Sequence, residues 1–191
     1  MTDNEFKVEG LTVRIEQDES PMNPREEFDN LSRMICFHRR YDIGDKHELN
    51  SNMFTCWDDV KRYLIRKEHA VVMLPLYLLD HSGLWIDTKP FACDPQGWDS
   101  GVVGFVFVSR DDLLKELKGK RISKKRIEYA AKVMRQEVET YNQYLTGEVY
   151  GFIIQDQDGN TLDSCWGFYG DIEYVKQEAT NLVKGYVEEV V

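Results

Sequence analysis

No long apolar run interrupts this chain. The longest, Ala70 to Leu79, carries Pro75 and falls far short of the roughly 20 residues a bilayer-spanning helix needs. The opening "MTDNEFKVEG" is acidic and has no apolar core, so no secretory signal is expected and a soluble, cytoplasmic protein is. Cysteine is sparse and scattered. Cys36, Cys56, Cys93 and Cys165 form no CxxC pair, which removes the closely spaced ligands of a four-cysteine zinc site. They are expected as reduced, mostly buried thiols. Phosphate-binding glycine loops of the GxxxxGK[ST] and GxGxxG kinds are missing, and so is a GxSxG elbow. Positive charge is also short, with 24 Lys and Arg against 34 Asp and Glu and a net charge of −10. Direct non-specific DNA binding is therefore not expected, because it needs a broad basic field.

What remains is a well-stocked globular chain of 191 residues, 42% hydrophobic and 12% aromatic. That is enough for one α+β domain over residues 1–191 with its own core. Apolar alternation at Phe6, Val8, Leu11, Val13 and Ile15 changes phase at Gly10, which predicts two short strands around a turn or one bulged strand. A loop with Pro21 and Pro24 follows, then a strand within "SRMICFHRRY" (32–41). The segment 55–69 predicts a helix, with Thr55 and Asp58 at its start and Trp57, Val60 and Leu64 on one face. Ala70–Leu79 and 102–108 are buried strands, the first bulged or at a sheet edge where Pro75 lacks a donor. Ser109 and Asp112 cap a short helix that ends near Gly119.

Residues 123–146 carry the clearest helical stripe, with Ile127, Ala131, Met134, Val138, Tyr141 and Leu145 inward. Residues 148–170 predict a hairpin turning at Asp158-Gly159, which would set Trp166 over Gly151. A last helix starts at Asp171, with Ile172, Val175, Ala179, Leu182, Val183 and Tyr186 inward. The sum is an α+β fold, mainly an antiparallel sheet with two or three packed helices covering one face.

Four strings carry a resemblance: "DNLSRMICFHRRYDIGDKH" (29–47), "PLYLLDHSGLWIDTKPFACDPQGWDSGVVGFVFVS" (75–109), "ETYNQYLTGEVYGF" (139–152) and "DSCWGFYG" (163–170). In them the chain resembles a family of small proteins encoded by bacteriophages, plasmids and related mobile elements. It departs from the family's shorter "CPWDSG" by reading "CDPQGWDSG". The resemblance brings no catalytic residue, cofactor or activity with it. It implies a genetic context, in the bacterial host cytoplasm, where small acidic proteins often bind host proteins.

Chemistry-bearing residues gather in two places. "HRRYDIGDKHE" (38–48) with Asp80 and His81 holds the side-chain types of a hydrolytic site, but His38 and His47 are not at the i, i+4 spacing of a helical zinc pair. No metal site and no cofactor are expected. Arg39 and Arg40 suit an anion. Asp80-His81-Ser82 is no ready-made triad, because neighbours on a strand point to opposite faces. The basic run 115–126 includes Lys120, Arg121, Lys124, Lys125 and Arg126. Its last three charges oppose the dipole of the helix they begin, unless nearby acids neutralise them.

The expectation is a non-enzymatic phage or mobile-element protein that binds a host protein or protein–nucleic-acid complex as a counter-defence inhibitor. Its binding residues would be Arg39, Arg40, Trp85, Phe91, Trp98 and Asp99, on the long connection from Asp80 to Gly101 and beside it. No membrane partner is expected, and a homo-oligomer is compatible with the sequence. The alternative is a small hydrolase or phosphate-ester-processing enzyme that uses His38, Arg39, Arg40, Asp80, His81 and Ser100.

Overall fold

The computed structural model describes residues 4–190, with side chains through residue 185. The inward placement expected for Tyr186 lies outside the described side chains. In chain order the elements are β1 (Glu5–Val8), β2 (Leu11–Gln17), α1 (Pro24–Glu27), β3 (Arg33–Cys36), α2 (Trp57–Lys67), β4 (Ala70–Asp80) and β5 (Leu84–Asp87). They continue with β6 (Ser100–Ser109), α3 (Arg110–Glu116), α4 (Lys124–Thr146), β7 (Val149–Gln155), β8 (Thr161–Tyr169) and α5 (Ile172–Val190). The protein is α+β and every strand pairing is antiparallel, but the strands divide between two sheets, β1-β2-β7-β8 and β3-β6-β4-β5. The residues group correspondingly into two compact units, Met1–Met22 with Thr146–Val191, and Asn23–Leu145. Among the described residues no helix is long and apolar enough to cross a membrane.

In the first unit α5 lies on one sheet face. Its Val175, Ala179 and Val183 pack on Val13 and Ile15 of β2 and Phe152 and Ile154 of β7, all fully or nearly buried. Leu182 is exposed instead of inward, so the buried stripe of α5 is narrower than its apolar content suggests. Glu9 and Gly10, both at positive φ, make the turn between β1 and β2. The β7–β8 hairpin pairs Phe152 with Cys165, Ile153 with Ser164 and Ile154 with Asp163, the register that a two-residue turn at Asp158-Gly159 demands. The turn itself is wider. Asp156 N–H donates to Asn160 O at 3.0 Å, and the Asp156 carboxylate accepts from the amides of Asp158 and Asn160. A register shift between Ile154 and Gln155 absorbs the difference, and a second lies between Tyr150 and Phe152, where the Trp166 ring occupies the place of a Gly151 Cβ. An aromatic ring covering a strand glycine is a recognised way to stabilise a sheet.

In the second unit helices cover both faces of the sheet, not one. Even-numbered residues of the strands (Met34, Cys36, Val72, Leu76, Val106 and Val108) face α3 and α4. Odd-numbered Ile35, Phe105 and Phe107 face Val60 and Leu64 of α2. Each such apolar side chain removed from water contributes about 1.5–3 kcal/mol. The α4 core is Ala130, Met134, Val138 and Tyr141, while Ile127 stays exposed. Helix α2 starts from Cys56, with no side-chain cap, and not from the expected Thr55–Asp58 pair. Asp59 accepts the Thr55 amide at 3.0 Å instead. Ser109 does cap α3, accepting the Asp112 amide at 3.1 Å. Pro75 sits where β5 does not reach, since β5 pairs only with Tyr77–Asp80. Gly104 lies against the β3 backbone: a Cβ there would collide with the Ile35 carbonyl. A side chain at 104 would force β3 off β6.

Two expectations about loops change. The strand in 32–41 ends at Cys36, and everything beyond it to α2 is loop with one 3-10 turn at Ser51–Met53. The connection from Asp80 to Gly101 is interrupted by β5, whose "LWI" segment pairs back onto β4 with Trp85 opposite Leu79.

Candidate functional site

The antiparallel order brings the end of β3, the end of β4 and the starts of β5 and β6 to one end of the second sheet. The loop 37–50 and the turn 81–83 leave from there, and the connection 88–99 returns there from the other end of β5. This end of the sheet gathers the residues that the sequence nominates for binding or chemistry outside the basic run 115–126. Which of them are free to act depends on what each already holds.

The loop after β3 is tied down from within. Asn23 caps the short helix α1, whose Pro24 occupies the first turn, and this delivers Arg25 into the interior. The Arg25 side chain is 1% exposed. Its Nε and Nη2 reach the two Asp45 oxygens at 2.7 and 2.9 Å, and Nη2 also donates to the Ser32 carbonyl at 2.7 Å. Asp45 accepts the Met34 amide at 2.8 Å. Glu137 of α4 lies 3.5 Å from Arg25 Nη1 and accepts the amides of Leu31 and Ser32 and the Ser32 hydroxyl. Tyr141 Oη accepts the Gly44 amide at 2.9 Å. Asp45 is thereby committed to structure. His47 is committed too, with Nε2 at 2.9 Å from the Cys36 carbonyl and its ring edge-on to Phe37.

What is left of the loop faces outward. His38 stacks on Tyr41 with ring centroids 5.1 Å apart, and its Nδ1 accepts the Arg40 amide at 3.3 Å. Arg40 pairs with Asp80 and lies over the Tyr41 ring. Arg39 is exposed. His38, Arg39 and Tyr41, with Phe37, Phe54 and Trp57, border an open cleft of about 940 Å³. Burial pushes the Cys36 thiol on its inner wall up to about 12, so that sulfur is no nucleophile. The other three cysteines are exposed, against the expectation of burial. Cys93 sits in a loop, and Cys165 lies on β8 but is open to solvent.

The long connection is built on one carboxylate. The turn Asp94–Gly97 closes with Gly97 N–H to Asp94 O at 3.1 Å. The Asp94 side chain then accepts the amides of Trp98, Asp99 and Ser100 at 3.0, 2.9 and 2.8 Å. These donors, the Trp98 amide foremost, hold its carboxyl below the usual range. The Ser100 hydroxyl also engages Asp94. Asp99 O accepts the Asp80 amide at 2.9 Å, which fastens the turn to the end of β4. His81 Nδ1 lies 2.9 Å from Asp99 Oδ2. The result holds Trp98 out in solvent, 82% exposed, its indole Nε1 donating to Gln96 at 2.6 Å. Phe91 and Trp85 are half-buried, Trp85 resting on Gly83.

The nominated residues therefore meet in pairs: Arg40 with Asp80, His81 with Asp99, Ser100 with Asp94. His81 is oriented by a carboxylate but not paired with a serine. Among the described residues no three His, Cys, Asp or Glu side chains gather as metal ligands. In the basic run, Arg126 turns inward and donates to the Arg121 carbonyl at 2.8 Å and the Leu117 carbonyl at 3.4 Å, closing the carboxyl end of α3. Lys124 has Glu128 at 3.9 Å, and Lys120, Arg121 and Lys125 are exposed.

Sequence reasoning missed Arg25, Glu137 and the anchoring role of Asp94. The "NP" before Arg25 is a helix-start signal inside what looks like a polar loop. "DPQGWDS" places an acceptor four, five and six residues ahead of the amides it collects. No family model, curated protein or solved structure matches the chain.

Proposed function

We propose that the chain is a non-catalytic binding protein of a phage or related mobile element. It acts on a host macromolecule through protein–protein contact, as a counter-defence inhibitor of the anti-CRISPR or anti-restriction kind. The genetic context rests on the family resemblance of residues 29–170. The mode of action rests on one observation, the presentation of Trp98.

An indole this exposed is costly to keep in water and valuable to bury. Trp is the residue most enriched among interface anchors, and truncating such an anchor typically costs about 2–4 kcal/mol of binding. Trp98 stands on a turn whose backbone is already fixed by the Asp94 carboxylate and the Asp80–Asp99 tie. A preorganised anchor loses little freedom on docking, so more of the burial appears as affinity. Asp99, next in the chain, and His81, which reaches its carboxylate, supply polar neighbours. The hydrolase reading has less in its favour, since His81 and Ser100 each lean on a different aspartate.

The experiment is capture from bacterial lysate by tagged wild-type protein and by Trp98→Ala, with thermal melts to verify folding. The expected result is one specific partner whose recovery falls at least about tenfold with the variant. Equal recovery by Trp98→Ala, or no partner with folded wild type across several hosts, overturns the proposal.

A further inference from the structure

The whole-chain charge hides a separation between the two units. The first holds 15 acidic against 4 basic residues, and the second 19 against 20. Nearly all the excess negative charge therefore belongs to the first unit. Within the second, residues 115–135 hold 9 basic residues against 2 acidic ones. The average that argues against a nucleic-acid partner does not describe this surface.

Part of that basic run is already spent. Arg126 closes α3, Lys124 has Glu128 nearby, and Arg135 donates to its own helix at Ala131 O. Lys120, Arg121, Lys125 and Lys132 are exposed and form no ion pair among the described residues. Lys125 and Lys132 flank Tyr129 at i, i+4 and i+7, so the three share one face of α4. That face is opposite Met134, Val138 and the rest of the α4 core. Tyr129 is 45% exposed. Two cations about 10 Å apart along the helix thus bracket an open aromatic ring.

We infer that this α3–α4 face binds single-stranded nucleic acid, with its lysines and Arg121 on the phosphates and a base stacked on Tyr129. A groove or face of cations interleaved with aromatics is how sequence-tolerant single-strand binding is built. An acidic protein segment would use the charges but has no use for the ring. Charges farther than about 8 Å from a bound strand are largely screened at physiological salt, so a local contact depends on the charges of this face and not on the whole-chain balance. This site is independent of Trp98 and of the proposal built on it.

The test is fluorescence anisotropy of a labelled oligo-dT, with a duplex of the same length and poly-glutamate as competitors. Neutralising four phosphates makes binding fall about fiftyfold between about 50 and about 200 mM salt. Lys125→Glu with Lys132→Glu should roughly halve the log–log salt slope. Tyr129→Ala should weaken binding about tenfold while leaving that slope unchanged. No binding at about 50 mM salt and about 100 µM protein overturns the inference. So does competition by duplex or poly-glutamate as effective as by oligo-dT, or indifference to Tyr129→Ala. Thermal melts of the variants, all at exposed positions, keep a folding defect from being mistaken for lost binding.

Discussion

Replacing Arg25 by Met tests whether the buried network sets the loop that begins the binding end of the sheet. The substitution keeps an unbranched apolar side chain but removes the fork shared by Asp45, Glu137 and the Ser32 carbonyl. Asp45 then keeps the Met34 amide, Glu137 keeps its three donors around Leu31 and Ser32, and two carboxylates lose their cation. Breaking a buried pair by removing one partner costs about 3–5 kcal/mol. Asp45 and Glu137 are 22% and 12% exposed, so water recovers part of that and the lower end, about 3 kcal/mol, is expected. For a chain of this size the midpoint drops by about 6–12 °C. Urea unfolding followed by hydrogen exchange over residues 31–48, with 149–155 as the reference in the other unit, reads the loss where it arises. A cycle of Arg25→Met, Asp45→Asn and the double variant should give a coupling of about 2 kcal/mol, and Arg25→Lys an intermediate loss. A cost below about 1 kcal/mol, or additive single effects, would refute a network role for Arg25.

Three further outcomes follow from the packing. Gly104→Ala should prevent folding of the second unit, seen as loss of near-ultraviolet circular dichroism, because its Cβ meets the Ile35 carbonyl. Trp166→Ala should cost the first unit about 1 kcal/mol in urea titration, since it uncovers Gly151 and leaves the pairing of Phe152 to Ile154 in place. A thiol reagent should modify Cys56, Cys93 and Cys165 in the native protein and reach Cys36 only after unfolding. Burial pushes the Cys36 thiol and the Tyr141 phenol up to about 12, above their ordinary 9.0 and 10.0. The folded chain keeps protons that the unfolded chain releases, so stability should fall as pH rises above about 9, and a rise there would contradict the buried placement.

Local patterns were legible wherever the residues that decide an element lie close together. Ser109 caps α3 as its spacing to Asp112 predicts, β6 is the buried strand its apolar run suggests, and Asp158-Gly159 sets the register of β7 on β8. What the sequence did not show depends on pairings between distant segments. Nothing near Leu11–Gln17 says that its neighbour is Val149–Gln155, so the division into two sheets was not readable. Nor was the burial of Arg25, whose partners Asp45 and Glu137 come from other parts of the chain. The site was partly legible by residue type. The pairing of Arg40 with Asp80 and of His81 with Asp99 needed the strand order that brings three loops to one end. Of four cysteines expected by type to be mostly buried, three are exposed, because a thiol's burial follows from its element's position and not from its own apolarity.

The account stands or falls on Trp98 as a contact point. The most direct measurement places a photo-crosslinking phenylalanine derivative at position 98 in the full chain expressed in bacteria, and the same group at Ile65, an exposed site on α2. The account predicts one discrete protein adduct from position 98 and none of that species from position 65. Equal patterns from the two sites, or no adduct at 98 from a folded and expressed protein, would contradict it.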